Sequence, residues 1–291
     1  MHIAVLLNYK TPHATINCAN SIAKHCKLLD HIIIVDNNSE DESHEILESY
    51  AKEKSSIKFL QNHTNNGYAG GNNFAIRWAL DNLPNVQTFW IINSDCLATY
   101  DAHSPLVLEH LENPRNFYGS IVVSATTGKL ESYGGGKLYP LLGKSMLLHK
   151  GAEIDKILNT SKKPDYLMGC SLLVSKEIID MAGLMDESYF MYSEEVDWQY
   201  RAKRNGIGIH TVRNSQILHL GSLSSGGKSE FYYFYRNRAA IMFNRRFYGK
   251  TVGLISALTL SLLSILQEIQ SPRRAMAGVK GAISGLFKDF T

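Results

Sequence analysis

Cysteine is scarce: there are four, at positions 18, 26, 96 and 170, and none forms a CxxC pair. That excludes a disulfide-stapled secreted scaffold and points to reduced, mostly buried thiols in a cytosolic protein, with Cys18 and Cys26 at most sharing one helix. No charge of one sign dominates, since net charge is only +3, although the last third is visibly basic. The longest apolar run, Thr251 to Leu266, carries Ser256, Thr259, Ser261 and Ser264. It falls short of the roughly 20 residues that span a bilayer. The start, Met1 to Leu7, has no basic flank and is too short for a leader's apolar region. No internal repeat or low-complexity tract is present, which excludes solenoid and fibrous designs. What remains is 291 residues with 44% hydrophobic content, enough for one large α/β domain or a core domain with an appendage.

The stretch that organises the rest is Thr88 to Cys96. Phe89-Trp90-Ile91-Ile92 is a continuous apolar run that stops at Asn93-Ser94-Asp95, as in a strand buried on both faces with a polar tip. The tips of such strands are where open α/β sheets bind ligands. A strand ending in an Asx turn would look the same, so the tripeptide alone leaves both readings open.

Residues 2–8 read as a first strand ending in Asn8-Tyr9, and a helix starts at Thr11 or Pro12 and runs to about Lys27. His31 to Val35 is a second strand, ending in Asp36-Asn37-Asn38-Ser39. Glu40 to Lys54 is helical in pattern, and Ile57 to Leu60 is a short third strand. Asn65 to Asn73, with Gly67, Gly70 and Gly71, reads as a loop that opens a helix to about Asn82. Its glycines would let backbone N–H groups approach a phosphate, but the spacing is neither GxGxxG nor a P-loop, and a simple capping loop fits as well. Strands alternating with helices imply βαβ units and a parallel sheet, with Asn8, Asp36, Asn38, Asn93 and Asp95 at one edge. Asp36 is either a turn former or a carboxylate for a ribose hydroxyl or base edge.

Residues 101–150 are less regular, with a strand at Tyr118 to Ser124 and a tight turn at Tyr133 to Gly136, and residues 145–163 read as a loop. Tyr166 to Val174 is a strand in which Gly169 permits close backbone approach, and Lys176 to Ala182 is a short helix. Ser193 is a plausible cap for a helix whose first turn holds Glu194, Glu195 and Asp197, with Asp197 paired to Arg201. A capped surface helix accounts for that acidity. The flanking Tyr189, Phe190, Tyr192 and Trp198 instead suit a partly desolvated carboxylate working as a base. Ile207 to Val212 and Gln216 to Leu218 are short strands, after which come His219 and a Gly/Ser stretch that could bring the imidazole to Asp95. Phe231 to Arg238 is aromatic and basic, and Arg245, Arg246, Lys250, Arg273, Arg274, Lys280 and Lys288 follow. These read as helices on an anionic membrane surface, with packing on the core or at a contact between copies kept open.

Taken in order, Val35 to Ser39, Asn66 to Asn73, Asn93 to Asp95, Glu194 to Trp198 and His219-Leu220-Gly221 resemble the inverting family-two glycosyltransferases of the GT-A fold. The likeness is strongest to the rhamnosyltransferase-like branch that builds bacterial surface polysaccharides such as O-antigen. It implies an α/β catalytic domain over 1–228, a Rossmann-like, mostly parallel sheet flanked by helices, with a donor half to about residue 100 and an acceptor half over 101–228. A helical, membrane-surface region would occupy 229–291. It implies that Asp36 meets the donor nucleotide, that Asn72 and Asn73 with Gly71 line the sugar diphosphate, and that Asn8 and Asn38 belong to the same pocket. Asn93 and Asp95 take the DxD position, with Asp95 and His219 holding Mg2+ or Mn2+ and Glu195 as catalytic base. Asn93 replaces the first acid of DxD, and Glu195 is one methylene longer than the usual aspartate. The implied partners are a nucleotide-sugar donor, a lipid-linked or oligosaccharide acceptor and the cytoplasmic face of the inner membrane, with no nucleic acid, and a homo-oligomer through the C-terminal helices is open. A sugar nucleotidyltransferase would need a glycine-rich loop after the first strand, where Asn8-Tyr9-Lys10-Thr11-Pro12 stands. A binding module without turnover is prompted by Asn93 alone.

Overall fold

The computed structural model describes residues 1–157, 162–221 and 229–290. The Gly/Ser stretch after Gly221 and part of the loop expected at 145–163 lie outside them. Three βα units open the chain: β1 (His2–Asn8) and α1 (Pro12–His25), β2 (His31–Asp36) and α2 (Ser43–Lys52), β3 (Ile57–Gln61) and α3 (Gly67–Asn82), followed by β4 (Thr88–Asn93). Their strands pair in parallel in the order β3-β2-β1-β4. The apolar runs of β1, β2 and β4 are buried on both faces, one set against α1 and α2 and the other against α3. Register sets Asn8 beside Asp36 and Leu7 beside Asn93, so the three polar tips share one sheet edge.

The second half mixes directions. It comprises β5 (Cys96–Leu97), α4 (His103–Glu112), β6 (Asn116–Ser124), β7 (Leu130–Tyr133), β8 (Gly135–Tyr139), β9 (Lys144–Leu147), β10 (Tyr166–Leu167), β11 (Ser171–Ser175), α5 (Lys176–Ala182), α6 (Glu194–Lys203) and β12 (Gly208–His219). β11 runs antiparallel between β4 and β6, β12 is parallel to β6, and β5 is antiparallel to β12. The sheet is therefore parallel on the first side and mixed overall. Strands β8 to β10 form a small separate antiparallel sheet.

Four local expectations change. The stretch expected as a glycine loop is already helical from Gly67, because the bare face of Gly71 lies on Leu7 and lets α3 close onto β1. The region read as irregular contains α4, whose Leu106 and Val107 enter the core. The two short strands near the end are one strand with a bulge between Val212 and Gln216. Ser193 does not cap α6 through its side chain; it sits at φ 64°, in the left-handed region.

Three helices complete the chain: α7 (Glu230–Tyr248), α8 (Lys250–Gln267) and α9 (Pro272–Phe287). They pack on one another closely enough that a Cβ on Gly281 would meet the Phe234 carbonyl oxygen at 2.1 Å. Helix α7 also packs on the α6 side of the core through Ala239, Met242 and Phe243 against Tyr166, Tyr189 and Val196. Helix α8 turns Ser256, Ala257, Leu260 and Ser264 inward and leaves Leu254, Leu258, Leu262, Ile265 and Leu266 exposed. By length and composition α8 is apolar enough to cross a membrane.

Candidate active site

The tip of β4 turns sharply into β5, and the register of β5 with β12 places Cys96 opposite His219. The Leu220 N–H donates to the Asp95 carbonyl at 2.8 Å, closing that corner. His219 Nε2 then lies 3.4 Å from Asp95 Oδ2, and its Nδ1 lies 2.7 Å from Glu131 Oε2. Asp95 and His219 are both buried, and Asp95 Oδ1 has no hydrogen-bond partner. Burial lowers the basicity of His219, yet the hydrogen bonds to Asp95 and Glu131 outweigh it and lift its pKa to about 11. Glu131 is the member of this corner that sequence reading missed. It sits on β7, and nothing in the linear pattern ties it to position 219.

Asp95, Cys96 and His219 bring a carboxylate oxygen, a sulfur and an imidazole nitrogen within 4.8 Å of one another. A hard divalent cation fits the oxygen and nitrogen of this set. The unpartnered buried oxygen of Asp95 is the observation that asks for one. Cys96 is the weaker donor: burial pushes its thiol well above the ordinary range, and its S–H points to the Cys170 carbonyl at 3.6 Å. A carboxylate backing the far nitrogen of a ligating histidine fixes ring orientation and tautomer, the part Glu131 is placed to play.

The segment 168–170 runs beside this corner. Asn93 N–H donates to the Cys170 carbonyl at 3.1 Å, and Gly169 abuts Glu195. A Cβ on Gly169 would lie 3.2 Å from the Tyr68 hydroxyl and 3.4 Å from Glu195 Cγ, and Tyr68 donates to the Gly169 carbonyl at 2.8 Å. Glu195 thus sits across one backbone strand from the Asn93–Asp95 tip and keeps part of its surface open. Burial raises its pKa, while its own amide and those of Gly169 and Val196 hold it down. Glu194 is more deeply buried, with Oε2 unpartnered, and burial with the charge of Glu195 pushes it well above the ordinary range. Asp197 is different. Tyr189, Arg201 and Arg246 all donate to it, at 3.0, 2.6 and 2.9 Å, so it is a structural carboxylate tying α6 to α7.

The residues expected to line the donor divide in two. Asp36 is buried and receives Asn8 Nδ2 at 2.7 Å, the Ser39 hydroxyl at 2.5 Å, the Ser39 amide at 3.1 Å and Gln61 Nε2 at 3.0 Å. Asn8 is fully buried, and its Oδ1 accepts from Thr15 at 2.9 Å. Asn73 is also fully buried, exchanging hydrogen bonds with Met185 and donating to Glu187. Asn8, Gly71 and Asn73 brace the tips and α3, with their polar atoms or bare face turned to the protein itself. Asn38, at φ 56°, and Asn93 remain half-open at the sheet edge. Asn72 donates to the Tyr68 carbonyl at 2.9 Å and leaves Oδ1 buried without a partner.

A sheet of this order, with acidic tips at one edge, is the GT-A fold, and solved structures share it. The chain matches GalNAc-T7 with UDP, GalNAc and Mn2+ at TM-score 0.64 and 15% identity, over 85% of this chain and 51% of that one, so it spans about half of that protein. It matches S. aureus TarS 1–349 at 0.57 and 13%, over 98% and 81%, and the Pyrobaculum calidifontis mannosyltransferase PcManGT in complex with GDP-Man and Mn2+ at 0.57 and 12%, over 98% and 85%. The chain belongs to Glycosyl transferase family 2, whose sequence profile matches residues 4–176. The low-salt glycan biosynthesis hexosyltransferase Agl10 of Haloferax volcanii is 26% identical over 270 residues, covering 89% of this chain and 80% of that protein. Glu195, His219 and the three terminal helices lie beyond the profile's match.

Proposed function

We propose that this chain moves a hexosyl or 6-deoxyhexosyl unit from a nucleoside-diphosphate sugar to a hydroxyl of a lipid-linked or oligosaccharide acceptor, with inversion, in the building of a surface glycan. The observation that carries the reading is the pair of carboxylates held across segment 168–170. Asp95 has an unspent buried oxygen beside His219, and Glu195 has a raised pKa and an open face. Asp95 and His219 would hold Mg2+ or Mn2+, which when bound offsets the charge that develops on the departing diphosphate. Glu195 takes the proton from the acceptor hydroxyl as its oxygen forms the new bond to the anomeric carbon. The bond from that carbon to the diphosphate breaks on the opposite face, and the electron pair leaves with the phosphate oxygen. One displacement inverts the centre and needs no covalent intermediate. The hexosyl alternative draws on the name of the archaeal relative, and the deoxyhexosyl one on the motif order of the rhamnosyltransferase-like branch.

The reading places the protein on the cytoplasmic face of a membrane, supported by the exposed apolar stripe of α8 and by the nine lysines and arginines against three acids after residue 228. A panel of UDP, GDP, dTDP and CDP sugars with Mn2+, followed by thermal shift and by release of free nucleoside diphosphate, tests the donor. Glu195→Gln should abolish transfer and leave donor binding intact. Loss of donor binding in that variant would show the role misassigned.

A further inference from the structure

Where α7 and α9 separate at their N-terminal ends they leave an open groove of about 530 Å³. Its wall is aromatic and soft: Phe231, Phe234 and Tyr235 from α7, Met276 from α9. Arg273 and Lys280 stand on its rim, and neither forms an ion pair among the described residues. Glu230 is the one acid in its lining. The groove is not remote from the candidate chemistry. Phe190 stacks on Tyr235 at 4.9 Å and meets Phe231 at 6.2 Å, and the Phe190 carbonyl accepts from the Tyr68 amide at 2.7 Å. Tyr68 is the residue whose hydroxyl sits beside Gly169 and Glu195. The groove therefore adjoins the loop that leads into Glu195.

Two unpaired cations over an aromatic and methionine floor match an amphiphile with an anionic head and an apolar chain. We propose that this groove seats the phosphate-bearing lipid anchor of the acceptor, the phosphate on Arg273 and Lys280 and the first part of the chain on Phe231, Phe234, Tyr235 and Met276. This rests on the transferase reading above and names its acceptor class. A bulk headgroup is disfavoured by location: a site continuous with the Glu195 loop serves the reacting lipid rather than general adhesion.

The test is partitioning of the full chain onto phosphatidylcholine vesicles with a small fraction of polyprenyl phosphate, which needs no turnover. Arg273→Glu with Lys280→Glu should weaken that partitioning at least about tenfold, since each cation near an anionic surface is worth about 1 kcal/mol and reversal counts twice. Lys250→Glu with Lys288→Glu, the same charge change outside the groove, should alter it less than about twofold. Met276→Ser should also weaken it. Equal loss in both charge pairs would overturn the proposal. So would equal partitioning onto vesicles carrying phosphatidic acid, competition by inorganic phosphate, or a dimer that buries Met276. Mn2+-dependent release of nucleoside diphosphate from the donor panel is measured in parallel on the unmodified chain and should survive Lys250→Glu with Lys288→Glu. If the unmodified chain releases none, the transferase reading fails on its own readout, while the partition data still decide the groove.

Discussion

Asp36 and Asp95 end two strands that flank β1 on the same sheet edge, and they are treated in opposite ways. Asp36 has four donors from its own chain, as many as an ionised carboxylate accommodates. Asp95 has one oxygen with none and the other 3.4 Å from an imidazole. A buried charge left short of partners is costly unless something else completes it, so the contrast separates a carboxylate that builds the edge from one that waits for a ligand. The second acidic cluster repeats the lesson: Asp197 is saturated by Tyr189, Arg201 and Arg246, while Glu194 keeps a buried oxygen without a partner.

Asp95→Asn gives the sharpest test. Transfer should fall by about a thousandfold with loss of the Mn2+ response, while the fold stands, because asparagine keeps a side-chain oxygen that can accept from His219. A chelator applied to the unmodified chain should reproduce the loss, reversed by added Mn2+, read as nucleoside diphosphate release. Asp36→Ala should do the reverse. It strands the donors of Asn8, Ser39 and Gln61, so urea unfolding should report a loss of about 2–4 kcal/mol. If it instead abolished donor binding with unchanged stability, the contrast would be broken. Glu131→Gln should weaken Mn2+ binding by about 10–100-fold, measured by calorimetry, with little change in stability.

The smallest effect concerns Glu194. Its carboxyl is raised in the folded chain, so folding favours the protonated form. Stability is then fullest below the unfolded carboxylate pKa, about pH 4, and falls as pH rises through the raised folded value. Glu194→Gln should stabilise the protein at pH 7 by about 1 kcal/mol and make no difference near pH 4. The same direction of shift at Glu195 should carry the acid limb of kcat/KM above the ordinary glutamate range, with activity rising as pH increases through it.

The first four strands were legible because a parallel strand covered on both faces must be apolar throughout, and β1, β2 and β4 are. The helix at α4 was hidden by His103 and Pro105 at its start and by an exposed Leu108 and Leu111 that blur the helical stripe. β12 read as two strands because Arg213 and Asn214 sit in the bulge. Within the site, Asp95 and His219 could be singled out as polar groups closing apolar runs, whereas Glu195 was marked only by its place in the family resemblance. Glu131, Tyr68 and Arg246 could not, since each acts on a residue dozens of positions away, 88 of them between Glu131 and His219. Asn8 shows the converse, a strand-tip side chain whose polar atoms are spent inside the protein. A polar residue at a strand tip looks the same in sequence whether it faces a ligand or a neighbouring loop.

Phe190, Tyr192 and Ser193 adopt φ of 67°, 70° and 64°, three strained side-chain-bearing residues just ahead of Glu195. Each such conformation costs on the order of 1–3 kcal/mol and lasts only where surroundings enforce it. Here the enforcement is the ring contacts of Phe231, Tyr232 and Tyr235 on α7. The terminal helices thus act as a splint on the turn that leads into Glu195, and the backbone shape of residues 190–193 is set in part by rings more than thirty positions further along the chain.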